Sequence, residues 1–301
     1  MELTAVTTRL TRRIALTALA CLGWGGGASA QSLPDSLIQR IRAGASRVTV
    51  PGDSVVLPLV GTPTLPLVEV SINGTGPFRF LIDLGSNVTL LRRNVVDASR
   101  STVLVERASS DIVLVEAMSL GKARLEDVTV GSYDELDVDG VLGYNVLQYS
   151  AFTLDFPRQR LVLHHRSLPP PDGQTVFSYR LQGRMPYIMV SLRTDSLLLN
   201  LDTGATEWMT VPPAQQADLR WLAPPAPGRT VANNQTGPAR VLEGYLADTL
   251  RFGALVIASP LVYVNPDADD AWLGAAAMRG VVWVFDPLQR RVQVTLPTLP
   301  R

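Results

Sequence analysis

The sequence predicts an all-β protein composed of two similar halves. From Val48 to Leu299, short runs of Val, Leu, Ile, Thr and Phe alternate with Gly, Pro, Asn and Asp, which is the pattern of short strands joined by turns. Several motifs of the first half recur in the second, and a repeat of about a hundred residues indicates a duplicated domain. The 301 residues, 46% of them apolar and 18% charged, suffice for buried cores in both halves.

Residues 1–30 have the features of a secretion signal. Arginines near the start are followed by an apolar run over residues 14–22, which is too short to span a bilayer. Ala28-Ser29-Ala30 then fits an A-x-A cleavage site. We therefore expect cleavage after Ala30, a mature chain that begins at Gln31, and a periplasmic or secreted protein without a membrane span.

Two other interpretations of this stretch remain open. The residues before Cys21 are a weak match to a lipoprotein box, which would anchor the chain through a lipid at Cys21. Arg12-Arg13 also faintly resembles the start of a twin-arginine signal. Because Cys21 is the only cysteine, no disulfide forms within the chain, and no thiol nucleophile remains after the expected cleavage.

Residues 31–47 form an N-terminal extension in which we expect one short helix. Asp35 is a candidate cap, apolar residues follow at 37, 38 and 41, and Gly44 provides a stop. We expect this helix to pack outside the main β fold.

A predicted hairpin leads into an Asp in each half. In the first half, the apolar runs 67–72 and 78–82 flank a Gly-rich turn, and the second run ends at Asp83. In the second half, residues 187–201 repeat this arrangement and end at Asp202. Each half therefore delivers an Asp at the end of a strand.

The correspondence continues beyond the two Asp residues. Three pairs of segments keep the same offset: 139–143 with 270–274, 152–155 with 283–286, and 160–163 with 291–294. Between the halves, prolines and a Gly in residues 166–174 exclude a sheet interior and indicate a linker. This linker divides the chain into lobes over residues 48–165 and 175–301.

The two Asp-containing turns resemble the paired Asp-Thr/Ser-Gly motifs of aspartic peptidases. The first turn is residues 80–87, Phe-Leu-Ile-Asp-Leu-Gly-Ser-Asn, and the second is residues 199–206, Leu-Asn-Leu-Asp-Thr-Gly-Ala-Thr. The resemblance is strongest to the bacterial retropepsin-like group, here with two lobes in one chain. It implies an all-β fold of two similar retropepsin-like β-barrel lobes, with the active site in the cleft between them.

By this resemblance, Asp83 and Asp202 are the catalytic pair of an aspartic endopeptidase. The resemblance assigns a supporting role in the active-site loops to Gly85, Ser86, Thr203, Gly204 and Ala205. Val141-Leu142-Gly143 and Trp272-Leu273-Gly274 match the hydrophobic-hydrophobic-Gly element that passes behind each loop in this family. A glycine two positions after each Asp lets the backbone turn sharply.

Two facing carboxyl groups can hydrolyse a peptide bond without a metal, a cofactor or a covalent intermediate. Like charges at that distance cannot both ionise, so the pair shares one proton. The ionised Asp removes a proton from water, while the protonated Asp polarises the scissile carbonyl and later protonates the leaving nitrogen. We therefore expect no cofactor and a peptide or protein substrate. Because one chain holds both halves of the site, we expect a monomer.

Leu84 departs from the family pattern, which has Thr or Ser at this position. In the family this hydroxyl reaches across to the loop of the other lobe, and Thr203 retains it whereas Leu84 lacks it. A less well aligned catalytic pair would lose rate steeply. One alternative is therefore a catalytically degenerate protein that binds peptide or protein without cleaving it. Another is a structural envelope module in which both Asp residues are ordinary turn residues.

Other classes of function have little support in the sequence. The formal net charge is zero and no basic patch argues for nucleic acid. His164 and His165 are adjacent on a predicted strand and point to opposite faces, so we expect no metal site. The motifs of serine and zinc hydrolases are missing. The resemblance to aspartic peptidases also implies hairpin flaps over the substrate, for which residues around 103–118 and 229–244 are candidates.

Overall fold

A computed structural model describes residues 33–107, 110–193, 195–231 and 239–297. It consists mostly of β-strands arranged in two lobes, which confirms the predicted fold class. The described residues contain four short α-helices, α1 (Asp35–Ala43), α2 (Arg93–Ala98), α3 (Tyr144–Leu147) and α4 (Ala275–Met278), and a 3₁₀ helix over Pro213–Asp218.

The first lobe is a closed barrel. The strands of this half are β1 (Arg47–Thr49), β2 (Ser54–Pro58), β3 (Leu67–Ile72), β4 (Thr75–Asp83), β5 (Leu90–Leu91), β6 (Thr102–Val105), β7 (Asp111–Leu120), β8 (Ala123–Ser132), β9 (Gly140–Gly143), β10 (Ala151–Asp155) and β11 (Arg160–His164). Strands β8, β5, β9, β4, β3 and β7 pair in that order, and β7 pairs back with β8 to close the ring. Strands β1 and β6 lie at its margins.

The second lobe has a similar strand order, but two of its long strands are each divided into two shorter ones. Its strands are β12 (Val176–Ser178), β13 (Arg180–Gln182), β14 (Met185–Ser191), β15 (Ser196–Asp202), β16 (Met209–Val211), β17 (Ala226–Val231), β18 (Ala239–Tyr245), β19 (Thr249–Phe252), β20 (Leu255–Ala258), β21 (Leu261–Val264), β22 (Trp272–Gly274), β23 (Val282–Asp286) and β24 (Arg291–Thr295). The first lobe has the long hairpin β7–β8. In the corresponding place, the second lobe has two shorter antiparallel pairs, β18 with β21 and β19 with β20. Two backbone hydrogen bonds bridge the interruption, from Leu246 to Pro260 and from Ser259 to Asp248.

A six-stranded sheet in the order β12-β24-β23-β10-β11-β2 joins the lobes. At its centre, β10 and β23 are antiparallel, with Phe152 opposite Phe285 and Leu154 opposite Trp283. The corresponding segments of the two halves thus face each other about an approximate two-fold axis. The Phe152 and Phe285 rings stack at 4.7 Å, and both belong to an apolar core that runs through both lobes.

Helix α1 forms at the expected residues, but it packs against the first lobe instead of lying outside the main β fold. Leu37 and Ile41 are buried in a cluster with Val141 and other first-lobe residues, separate from the main core. The Asn145 side-chain amide donates a hydrogen bond of 2.9 Å to the Ile41 carbonyl. Asp35 is the first helical residue and not the N-cap, a position that Pro34 occupies without a side-chain cap. The negative charge of Asp35 in the first turn therefore stabilises the helix by interacting with the positive end of its dipole.

No helix in the described ranges is long and apolar enough to cross a membrane.

We expect Ile41→Ala to lower the free energy of unfolding by about 2–5 kcal/mol, because it leaves a cavity under α1 where Ile41 is 1% exposed. Urea unfolding followed by circular dichroism measures the change. Gln39→Ala, on the exposed face of the same helix, is the matched control and should change stability by no more than about 0.5 kcal/mol. Equal effects of both substitutions would show that α1 does not pack as described.

Candidate active site

Strands β4 and β15 carry the two Asp residues at their ends. Side chains alternate along each strand, so Phe80 and Ile82 of β4 enter the main core, while Asp83 points to the opposite face. Leu199 and Leu201 of β15 are likewise buried in that core, ahead of Asp202. The apolar residues before each Asp therefore anchor the strand that presents it.

The hydrophobic-hydrophobic-Gly elements pass directly behind the Asp-bearing strands. Strand β9 is parallel to β4 with Gly143 opposite Asp83, and β22 is parallel to β15 with Gly274 opposite Asp202. A Cβ atom at Gly143 would lie 2.2 Å from the carbonyl oxygen of Val88, and one at Gly274 would meet the neighbouring backbone at the same distance. Glycine is required at both positions because two backbones meet there.

The structure brings Asp83 and Asp202 together at the meeting point of the two lobes. Both side chains are fully buried, and the two carboxyl groups are close enough for Asp202 to repel a charge on Asp83. The Gly85 N–H donates to Asp83 Oδ1 at 2.8 Å. The Gly204 and Ala205 N–H groups each donate to Asp202 Oδ1 at 3.0 Å. Backbone donors thus fix the orientation of both carboxyl groups.

Each active-site glycine lies against the Asp of the opposite lobe. A Cβ atom at Gly85 would lie 2.6 Å from the carboxyl carbon of Asp202, and one at Gly204 would lie 2.6 Å from that of Asp83. Neither glycine has a positive φ. The requirement for glycine therefore comes from this reciprocal approach and not from the turn conformation that the sequence suggested.

Thr203 joins the two loops, and Leu84 does not reciprocate. The Thr203 hydroxyl accepts a hydrogen bond of 3.0 Å from the Leu84 N–H and donates one of 2.7 Å to the Ile82 carbonyl. Leu84 has no hydroxyl to make the corresponding bonds, and its buried side chain belongs to the main apolar core. The hydrogen bonds of Thr203 thus tie the two loops, whereas the Leu84 side chain is buried in the apolar core.

Ser86 and Ala205 connect each loop to the short helix that follows the glycine element. The Tyr144 N–H donates to the Ser86 carbonyl and the Ala275 N–H donates to the Ala205 carbonyl, both at 2.8 Å. The Ser86 hydroxyl donates to the Val88 carbonyl at 2.8 Å. The two residues therefore support the loops mainly through equivalent backbone contacts.

The environment of the pair favours one shared proton. Burial of Asp83, followed by repulsion from Asp202, raises the pKa of Asp83 well above its usual range. Two carboxyl groups that interact this strongly titrate as a pair, because the first ionisation opposes the second. The site therefore holds the acid and the base that water-mediated hydrolysis needs.

A second layer behind the first loop was not apparent from the sequence. Thr89 donates to Asn145 Oδ1 at 2.9 Å and accepts from the Gly143 N–H at 3.2 Å. The Asn145 amide in turn binds the Ile41 carbonyl of α1. The hydroxyl groups of Tyr144 and Tyr179 also meet at 2.5 Å between the lobes. In the sequence, the one signal for this second layer is the position of Asn145, two residues after the glycine element.

Other residues considered from the sequence lie away from the pair. His164 pairs with Thr153 at 3.0 Å and His165 with the Val50 carbonyl at 2.9 Å, both at the central sheet. Across the described ranges, no group of three or more His, Cys, Asp or Glu residues could hold a metal ion. The candidate flaps correspond to the hairpins β6–β7 and β17–β18, whose tips at residues 108–109 and 232–238 lie outside the described residues.

We expect Thr203→Val to lower the free energy of unfolding by about 1–3 kcal/mol, because it leaves the buried Leu84 N–H and Ile82 carbonyl without their partner. Denaturant unfolding measures this change. Thr206→Val, a half-buried neighbour in the same loop, is the matched control for the loss of a hydroxyl. Similar, small effects of both substitutions would exclude an important tie at Thr203.

Stability should also depend on pH through Asp83. Its folded-state pKa is raised, so its contribution is fully present below the unfolded pKa of about 3.9 and is lost as pH rises through the folded pKa. Asp83→Asn removes this loss, so the stability of the variant relative to the wild type should increase from acid to neutral pH. Thermal unfolding across this range tests it, with exposed Asp53→Asn as control. A pH-independent difference would contradict the raised pKa.

Comparisons with known proteins agree with this architecture. A family model described as aspartyl protease matches residues 68–146 of the chain. The aspartic proteinase from Irpex lacteus matches 81% of this chain and 97% of its own length with 15% sequence identity and a TM-score of 0.51. A retropepsin-like aspartic protease from Rickettsia conorii matches 40% of this chain and 95% of its own, with 14% identity and a TM-score of 0.32.

No curated protein matches the chain. The family match covers the first Asp-bearing loop and the glycine element behind it, and the fungal enzyme shares the fold of both lobes. The predicted resemblance to aspartyl proteases is thus confirmed by the family match in the first lobe and by the fold of the two lobes.

Proposed function

We propose that the protein is an exported aspartic endopeptidase in which Asp83 and Asp202 hydrolyse peptide bonds through an activated water. The observation that carries this proposal is the close approach of two buried carboxyl groups from opposite lobes, each held by backbone donors. Each carboxyl also lies against the glycine of the opposite loop. An ordinary turn Asp satisfies its own turn and needs no such partner across a lobe boundary.

The mechanism follows from one proton held between two carboxyl groups. The ionised Asp accepts a proton from the water that attacks the scissile carbonyl carbon. The protonated Asp donates a hydrogen bond to the carbonyl oxygen, which gains negative charge as the tetrahedral intermediate forms. A proton then passes to the leaving nitrogen as the C–N bond breaks. No covalent enzyme intermediate and no cofactor take part.

A peptide or protein is the proposed partner, bound in extended form across both lobes by strand-like pairing. The protein works as a monomer, with lobes over residues 48–165 and 175–301 joined by the linker 166–174. It acts in the periplasm or outside the cell after cleavage behind Ala30, or anchored through Cys21 in the alternative form. Residues 1–32 lie outside the described ranges.

Leu84 motivates a second candidate function, binding of peptide or protein without cleavage. Of Leu84 and Thr203, only Thr203 has a hydroxyl that ties the loops, so the two carboxyl groups have one such hydrogen-bonded support where the family pattern has two. The Leu84 side chain packs in the apolar core instead, and such packing has no preferred direction. The two candidates differ in turnover and not in the ability to bind.

Cleavage of a peptide library by the purified protein, from acid to neutral pH, tests the proposal. We expect Asp83→Asn and Asp202→Asn each to reduce cleavage by about a hundredfold or more, because each removes one partner of the acid–base pair. Asp53→Asn makes the same chemical change at an exposed site and should retain full activity. It also controls for a contaminating protease, which would be unaffected by all three substitutions.

The variant Leu84→Thr separates the two candidates. It restores a hydroxyl opposite Thr203 at the expense of some apolar contact. Cleavage by the wild type supports the peptidase. Cleavage gained only in Leu84→Thr supports a peptidase scaffold that has become a binding protein. No cleavage by either folded protein at any pH would overturn the peptidase proposal.

A further inference from the structure

The two Asp residues have chemically different neighbours on their own strands. Two residues before Asp83 stands Leu81, and two residues before Asp202 stands Asn200. Alternate residues of a strand share a face, so each of these side chains lies beside its Asp. The core supports this assignment, because it contains the intervening residues Ile82 and Leu201 but neither Leu81 nor Asn200. Leu81 and Asn200 therefore flank the pair from opposite lobes.

The strands next to β4 and β15 also present different side chains on the face of the Asp residues. Leu67 lies opposite Leu81, and Tyr187 lies opposite Asn200. The first lobe therefore presents two apolar side chains beside its Asp. In the parallel strand, Val141 lies opposite Leu81 and belongs to the cluster that α1 completes. This side of the site is an apolar wall supported from behind by the N-terminal helix.

The second lobe presents hydrogen-bond acceptors in the corresponding place. Asn200 is 1% exposed and its amide nitrogen donates to the Pro186 carbonyl at 3.1 Å. Its Oδ1 atom is buried and has no hydrogen-bond partner among the residues that the structure describes. A buried acceptor without a donor is uncommon in folded proteins and points to a group that arrives from outside.

Tyr187 adds to the same cluster of acceptors. Its hydroxyl donates to Asp270 Oδ2 at 3.0 Å, so the Tyr187 oxygen remains available only as an acceptor. Burial and the negative charge of Asp270, and more weakly that of Asp202, raise the pKa of Tyr187. Because Tyr187 lies opposite Asn200 on the adjacent strand, its ring is on the same face of the sheet as Asp202. Asn200 Oδ1, the Tyr187 oxygen and the Asp270 carboxylate are thus three acceptors on the second-lobe side of the pair.

We propose that the second-lobe side of the cleft selects a hydrogen-bond-donating side chain, such as Lys, Arg or Gln, next to the scissile bond, while the first-lobe side selects an apolar one. This inference rests on the proposed peptide-binding function. Successive side chains of an extended peptide point in opposite directions, so the two residues that flank the cleaved bond meet different walls. A donor on the peptide would satisfy Asn200 Oδ1, whereas an apolar side chain would leave it buried and unpaired.

Binding measurements test this selectivity without relying on turnover. The Asp83→Asn protein, which retains the cleft, is titrated with peptides that are identical except for norleucine, Gln or Lys at one of the two central positions. At one position we expect the Gln and Lys peptides to bind about ten- to a hundredfold more tightly than norleucine. At the other position norleucine should bind most tightly.

Variants of Leu81 and Asn200 test whether the apolar preference depends on the first lobe and the donor preference on the second. Asn200→Leu, which gives the second lobe the residue that the first lobe has at Leu81, should abolish the preference for Gln and Lys and leave the apolar position unchanged. Leu81→Asn should weaken only the apolar preference. Asn200→Ala, which cannot clash, replaces Asn200→Leu if circular dichroism shows that the latter is unfolded.

The outcomes separate this inference from the peptidase proposal. Norleucine that binds at least as well as Gln and Lys at both positions, a preference unchanged by Asn200→Leu or Asn200→Ala, or no binding of any peptide would overturn the inference. Absence of cleavage by the wild type would overturn only the peptidase activity, since the binding preference is measured independently.

Discussion

The reciprocal contact between the two Asp-bearing loops is the constraint on which the rest of the structure depends. Each loop places a glycine against the carboxyl group of the other, at a distance that excludes any side chain. The Thr203 hydroxyl crosses the same boundary and bonds to two backbone groups of the opposite loop. Because all these groups are buried, small displacements would leave polar atoms unpaired, and both strands must therefore end in register at the boundary.

The central sheet and the two barrels satisfy that constraint from both sides. Pairing of β10 with β23 about an approximate two-fold axis sets the halves face to face, and the stacked Phe152 and Phe285 rings fill the space between them. In each barrel, a glycine element holds the Asp-bearing strand from behind. The carboxyl groups meet because two similar halves repeat one local geometry.

The halves have also diverged, as two domains within one chain can. Helix α1 covers a cluster of the first lobe, whereas the second lobe has Asn200, Tyr187 and Asp270 around its Asp. Leu84 and Thr203 occupy equivalent loop positions with different means of attachment. A homodimer would repeat every residue on both sides of its site, so a two-sided cleft of this kind requires both lobes to be encoded separately. Such asymmetry suits a substrate whose two sides differ.

The sequence by itself determined the all-β class and the strands that end at Asp83 and Asp202, because these depend on alternation, turns and repeats along the chain. The closed barrel of the first lobe and the close approach of the two carboxyl groups, which a family resemblance implied, are established only by the fold. Tertiary structure alone decided why Gly85 and Gly204 are glycines, how Thr203 is used, and that Asn145 links the first loop to α1. It also revealed that Asn200 is buried and that its oxygen has no hydrogen-bond partner within the described part of the chain. These properties depend on atoms brought together from distant parts of the chain, and no local pattern records such distances.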